Sequence, residues 1–331
     1  MNKEDVLIDC LTGLIHFEDH FQAVEPDMAE WICERLAWHK LLPLAASISH
    51  QNEFICEELR SIFQNVILNN IIREKNYEKQ TRKIFDLFNK ENICFIPYKG
   101  PFWGHLIYPE YSWRHIGDMD LLLTMADSKK ASIILKDLGF RPDIMEGSEA
   151  QDYEIRGALT LLNDPTQKDA FPVQLHWELM SSPRFLKKRY LQTKYFFEKT
   201  TNAEWKGISF QIPRPEVQFL YYILHSTCQH QFKRFVHIMV LAHFIKKFKA
   251  MDWEFVYKLS EEHHALVPLY YGLSFIHAFF QLPEKALNVM HKCKPHFFNR
   301  TCANVLKPVH TFFFTQKKGN VRRNLFRIVL S

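Results

Sequence analysis

Apolar residues recur along the first ninety positions at the three- and four-residue spacing of packed helices. Leu7, Leu11 and Leu14 mark one such face, and Trp31, Leu36 and Trp38 a less regular one that ends at the Pro43 break. From Glu53 to Asn89 a longer stretch carries Ile55, Leu59, Ile62, Phe63, Val66, Ile67, Ile71 and Ile72. That is an apolar stripe as wide as a packed helix needs, and these residues are expected in the core.

Between about 91 and 212 the pattern changes to short apolar runs set between helices. ICFIPY (93–98) reads as a buried strand enclosing an inert Cys94, and Pro101 opens a helix carrying Trp103, Leu106 and Ile107. MDLLLT (119–124) reads as a second strand, followed by a helix from Ser128 to Leu138 that Asp127 caps and Gly139 stops. GALTLLN (157–163) and PVQLHWEL (172–179) are further strands, and WKGISFQIP (205–213) adds an edge strand or a hairpin.

After Arg214 helical spacing returns in five segments: 216–230, 234–248, 252–264, 266–280 and 283–293. The expected architecture is α+β. A helical N-terminal region (1–90) precedes an α/β core with a small mixed sheet (91–213), and a helical C-terminal region (214–331) follows.

Composition narrows this picture only a little. Ten glycines in 331 residues leave few positions for cheap positive φ, which argues against a turn-rich all-β fold. A net charge of +5 permits an anionic substrate without demanding nucleic acid, which is not expected as a partner. Seven cysteines with no C-x-x-C pair suit a reducing cytoplasm rather than a disulfide framework. The N-terminus lacks a signal-peptide layout, and the most apolar stretch, FVHIMVLAHFI (235–245), is too short for a transmembrane segment.

The tail TFFFTQKKGNVRRNLFRIVLS (311–331) interleaves basic and apolar residues. It reads as packing its phenylalanines on the body, with a membrane surface or nucleic acid as the alternative. Paired histidines at 225/230, 237/243 and 263/264 lack the i,i+4 spacing that would set both rings on one helical face, so each reads as a satisfied or exposed side chain.

The chemistry concentrates in RHIGDMDLLL (114–123). Asp118 and Asp120 stand at the mouth of a run that ought to be buried, where an unpaired carboxylate costs several kcal/mol. In a strand, residues i and i+2 project to the same face, so the two acids lie together and raise each other's pKa unless a cation answers them. Mg²⁺ held by one or two carboxylates and substrate phosphates is the usual resolution. Lys99 and Gly100, just before the Pro101 helix, and Arg114 supply a cationic, backbone-accessible half to which a phosphate could bind.

The ordered set FIPYKG (95–100), YPEYSWRHIGDMDLLL (108–123), a helix ending LGF (138–140), and VQLHW (173–177) resembles the uncharacterised nucleotidyltransferase family of the polymerase-beta-type superfamily. LHSTCQH (224–230) is similar to the helical segment that the family places after its core. The resemblance implies a nucleotidyltransferase-type sheet, with Asp118 and Asp120 binding catalytic Mg²⁺ or Mn²⁺. It also implies Lys99 and Gly100 at the triphosphate of an NTP co-substrate, and Arg114 as the family's arginine before the acids. The reaction would be an in-line displacement at the α-phosphorus, two metal ions clamping the leaving pyrophosphate and the attacking oxygen of an acceptor: a small molecule, sugar, peptide or protein.

Two positions depart from the family pattern. Gln174 stands where a third carboxylate is expected, and Val240 where an acid is common. His176, of the same strand parity as Gln174, is the candidate to compensate in catalysis. The alternative is a catalytically impaired descendant that binds nucleotide or protein.

Overall fold

The computed structural model describes residues 2–99, 101–108, 113–143, 157–162, 170–179, 191, 193–198 and 200–295. Gly100 and the tail 311–331 lie outside the described residues. The elements are α1 (Lys3–His16), α2 (Pro26–Trp38), α3 (Leu42–Ser49), α4 (Glu57–Lys90), β1 (Phe95–Pro97), α5 (Pro101–Ile107), β2 (Met119–Leu123), α6 (Met125–Asp137), β3 (Arg141–Pro142), β4 (Ala158–Leu162) and β5 (Val173–His176). Then come α7 (Lys194–Glu198), β6 (Thr200–Trp205), β7 (Ile208–Pro213), α8 (Pro215–Leu224), α9 (Val236–Lys247), α10 (Trp253–Glu262), α11 (Leu266–His277) and α12 (Glu284–Lys292).

This is a mixed α+β protein with two compact units. The described residues of Met1–Gln64 and Pro215–Ser331 form one, and those of Asn65–Arg214 the other, so that the division falls within α4. No helix among the described residues is long and apolar enough to cross a membrane.

In the unit 65–214, five strands form a mixed sheet in the order β1-β2-β5-β4-β3. Only β2 and β5 run parallel, with Asp120 opposite Gln174 and Leu122 opposite His176; the other pairs are antiparallel. Strand parity then divides the sheet. Met119, Leu121 and Leu123 of β2, with Val173 and Leu175 of β5, join a core containing Tyr77, Ile84, Phe85 and Phe88 of α4. Asp120, Leu122, Gln174 and His176 therefore share the opposite face.

β6 and β7 make a separate hairpin. Its tip, Lys206 and Gly207, has positive φ at both residues (50° and 74°), the turn whose twist matches a two-residue hairpin. At the start of β4, Gly157 has φ 68°, and a Cβ there would stand 2.4 Å from Glu178 Cβ, so glycine is required on both counts.

Three details differ from the sequence expectation. Ile71 and Ile72 are 38% and 57% exposed, while the buried face of α4 passes instead through Asn70, Glu74, Tyr77 and Thr81. The steps of four and three that begin at Leu59 and Phe63 lead to those positions, and the apolar residues at 71 and 72 fall on the outer side. Cys94 is exposed rather than enclosed in a strand, because β1 begins only at Phe95 and Cys94 turns outward beside buried Ile93. Finally, α6 starts a turn earlier than expected. Thr124 is its N-cap, accepting from the Asp127 N–H while its hydroxyl donates to the Asp127 carboxylate.

In the other unit α8 runs on into a π-turn at His225–Gln229, and the five expected C-terminal helices are all present. The π-turn's i→i+5 register brings His225 and His230 together, Nε2 to Nε2 at 2.9 Å, although their spacing is wrong for an α-helical face. His237 stacks on His230 with ring centroids 4.7 Å apart. His243 is buried and donates to the carbonyls of Leu14 and Ile15 in the last turn of α1. Val240 is fully buried in α9.

Candidate functional site

Five of the residues singled out in the sequence converge on one face of the sheet. Lys99, just past β1, places its Nζ 2.8 Å from Asp120 Oδ1. His176 Nε2 lies 3.0 Å from the same oxygen and 3.2 Å from Gln174 Oε1. Gln174 Nε2 in turn donates to Asp118 Oδ2 at 2.6 Å. These contacts fix one proton pattern: His176 carries its hydrogen on Nε2 and shares it between Asp120 and Gln174, and the Gln174 amide links His176 to Asp118.

The network explains how a carboxylate survives burial here. Asp120 is 2% exposed, and burial alone would push its pKa up. The Lys99 charge and the His176 hydrogen bond outweigh that and hold the carboxyl well below the usual range, at about 2. For His176 burial and the Lys99 charge act together and push the imidazole down to about 4, so the ring is neutral at pH 7. Tyr98 packs edge-on against the His176 ring, 5.3 Å away between centroids. His176 Nδ1 is buried and has no partner among the described residues.

The strand ends that carry these groups are held by α4, a role the sequence reading missed. Asn70 Nδ2 donates to the Arg114 carbonyl at 2.9 Å, and Arg73 Nη2 to the Ile116 carbonyl at 2.8 Å, both in the segment leading into β2. Gln80 exchanges two hydrogen bonds with the backbone of Phe171, just ahead of β5. Thus one helix orients the approaches to both site strands. The available signal was a polar series, Asn70, Arg73, Glu74 and Gln80, interrupting an otherwise apolar stripe. For Arg114 the structure gives this backbone anchorage four residues before Asp118; Gly100 lies outside the described residues.

As candidate ligands for a hard cation, Asp118 and Asp120 offer carboxylate oxygens on a common face, and Gln174 offers only an amide. No group of three or more His, Cys, Asp or Glu able to hold a metal occurs among the described residues. The site is an anionic pair with a built-in ammonium, on a small mixed sheet of α+β type.

The chain belongs to the uncharacterised nucleotidyltransferase family, whose model matches residues 26–281 and so spans the site and both units. No curated protein and no solved structure shows significant similarity.

Proposed function

We propose that this chain transfers a nucleoside monophosphate from a nucleoside triphosphate to an acceptor that is a small molecule, sugar, peptide or protein. The observation that carries the reading is the convergence of Asp120 of β2 and Asp118, just before it, on Gln174 and His176 of β5 beside Lys99, in a chain of this family. The donor set fits Mg²⁺ or Mn²⁺: two hard carboxylates would hold the ion, and the partly exposed Asp118 is the one nearer solvent. When bound, such an ion supplies Lewis-acid stabilisation of charge developing on phosphoryl oxygens.

The rest of the assignment concerns the chain's own groups. Lys99 brings a point charge to the triphosphate, and Arg114 adds a guanidinium fork. His176 is a positioning residue. Its Nε2 hydrogen is already committed to Asp120 and Gln174, and its depressed pKa keeps it neutral. It holds Asp120 ionised and oriented rather than taking a proton from the acceptor. Catalysis then rests on alignment and electrostatics, which suits phosphoryl-type transfer.

Incubating the protein with α-labelled NTPs, Mg²⁺ or Mn²⁺ and an acceptor pool should release pyrophosphate and label an acceptor. Asp118→Asn or Asp120→Asn should remove both signals; undiminished activity in these variants would sink the assignment.

A second reading is favoured by Gln174, a neutral amide that already holds Asp118 through a hydrogen bond. On that reading the fold persists as a nucleotide-binding module. It predicts calorimetric NTP binding with no pyrophosphate released by wild type, and activity gained in Gln174→Asp.

A further inference from the structure

The acidic pair brings its own counter-charge. Lys99 meets Asp120 at 2.8 Å with 15% of the lysine side chain and 3% of the aspartate side chain exposed, so this ammonium is an interior part of the site. The residue across from Asp120 on β5 is Gln174, a neutral amide. Lys99 thus answers the buried member of the acidic pair from within the chain.

Sites that clamp a transferred phosphoryl group between two divalent ions set those ions roughly 3.5–4 Å apart and need surplus carboxylate to hold them there. Here the buried carboxylate already gives one oxygen to an ammonium and an imidazole N–H. A second divalent ion at Asp120 would have to lie against Lys99, cation to cation, in a setting where little water screens them. An ammonium and a metal ion are alternative answers to the same carboxylate.

Resting on the nucleotidyltransferase reading above, we propose that this site takes a single divalent cation together with the triphosphate, and that Lys99 occupies the place of a second. Gln174 is the residue that sets this count. Its amide holds Asp118 by donating a hydrogen, where a carboxylate would demand another cation. The specificity consequence is that the ion enters with the nucleotide, because two carboxylates already shared with Lys99 and Gln174 form a poor cage for a free ion.

The test is a titration of the full chain with Mn²⁺ and a non-hydrolysable imido-NTP, counting bound Mn²⁺ by electron paramagnetic resonance and bound analogue by equilibrium dialysis. Wild type should bind one Mn²⁺ per analogue, with Mn²⁺ alone binding at least tenfold more weakly. Gln174→Glu should bind two. Should that variant lose its fold without metal, Lys99→Met, which keeps the aliphatic stem, should also bind two. Two ions per analogue in wild type, or one in both variants, overturns the inference and leaves the transferase reading standing. Absence of saturable analogue binding by wild type overturns that reading, and this inference with it.

Discussion

Replacing Gln174 by glutamate keeps the shape of the side chain and removes the donor that now reaches Asp118 Oδ2 across 2.6 Å. Two full charges at that separation would repel by about 6 kcal/mol at an effective dielectric constant of ~20. The new carboxyl escapes by keeping its proton. At pH 7 this costs about 1.4 kcal/mol for each unit above the ordinary glutamate value, roughly 4 kcal/mol in all. The protonated form, not the charged one, therefore sets the loss of stability. A group whose folded pKa is raised loses stability as pH climbs above its unfolded value, so the deficit relative to wild type should be absent near pH 4 and full near pH 7. Thermal melts in metal-free buffer should show Gln174→Glu lower by on the order of 10 °C at pH 7 and indistinguishable from wild type at pH 4. Millimolar Mn²⁺ should restore most of the difference at pH 7 and leave wild type almost unmoved. A variant as stable as wild type at pH 7 without metal would refute the hydrogen-bonded arrangement of Gln174 and Asp118.

Other perturbations separate the two acids and the buried histidines. Asp120→Asn strips a buried ammonium of its counter-charge and should cost about 3–5 kcal/mol in urea unfolding, whereas Asp118→Asn, partly exposed, should cost less than about 1 kcal/mol. His176 and His243 are pushed down from 6.5 to about 4 and about 3 by burial, so folding stability should be full above about 6.5 and fall as pH drops toward 4. His176 alone should account for up to about 3 kcal/mol of that fall, and a urea midpoint that stayed flat from pH 7 to pH 5 would contradict it. Gly157→Ala must adopt φ 68° and clear the Glu178 side chain, and should lose about 2 kcal/mol by chemical denaturation with secondary structure intact by circular dichroism.

Much of the fold was legible because periodicity reports burial directly. The strand runs at 93–98, 119–124, 157–163 and 172–179 and the five C-terminal helices follow from spacing and caps alone. Parity also foretold that Gln174 and His176 would share a face, which Asp120 of β2 shares too. The sheet order, by contrast, depends on pairing across more than fifty residues between β2 and β5, and no local pattern encodes that. Nor could spacing show that Lys99 would answer Asp120, since the ion pair joins a residue just past β1 to the second residue of β2.

The misreading of α4 has one cause: polar residues employed on a buried face. α4 buries Asn70 and Glu74 and leaves Ile71 and Ile72 outside, because Asn70 and Arg73 hold the segment entering β2 and Glu74 pairs with Lys206 at the hairpin tip. A reading that sends apolar side chains inward cannot anticipate polar ones recruited to hold loops. The His225–His230 contact escaped for a different reason, since an i,i+4 rule presumes an α-helix and the chain makes a π-turn there.

The central claim is that Asp118 and Asp120 carry nucleotidyl transfer. The most direct measurement is pyrophosphate release from α-labelled NTP with Mg²⁺ or Mn²⁺ and an acceptor pool, comparing wild type with folded Asp118→Asn. We expect acceptor labelling by wild type and a loss of at least roughly a hundredfold in the variant, the scale of removing one electrostatic contact to the transition state. Equal rates in the two proteins, with nucleotide bound equally well by both, would contradict the assignment.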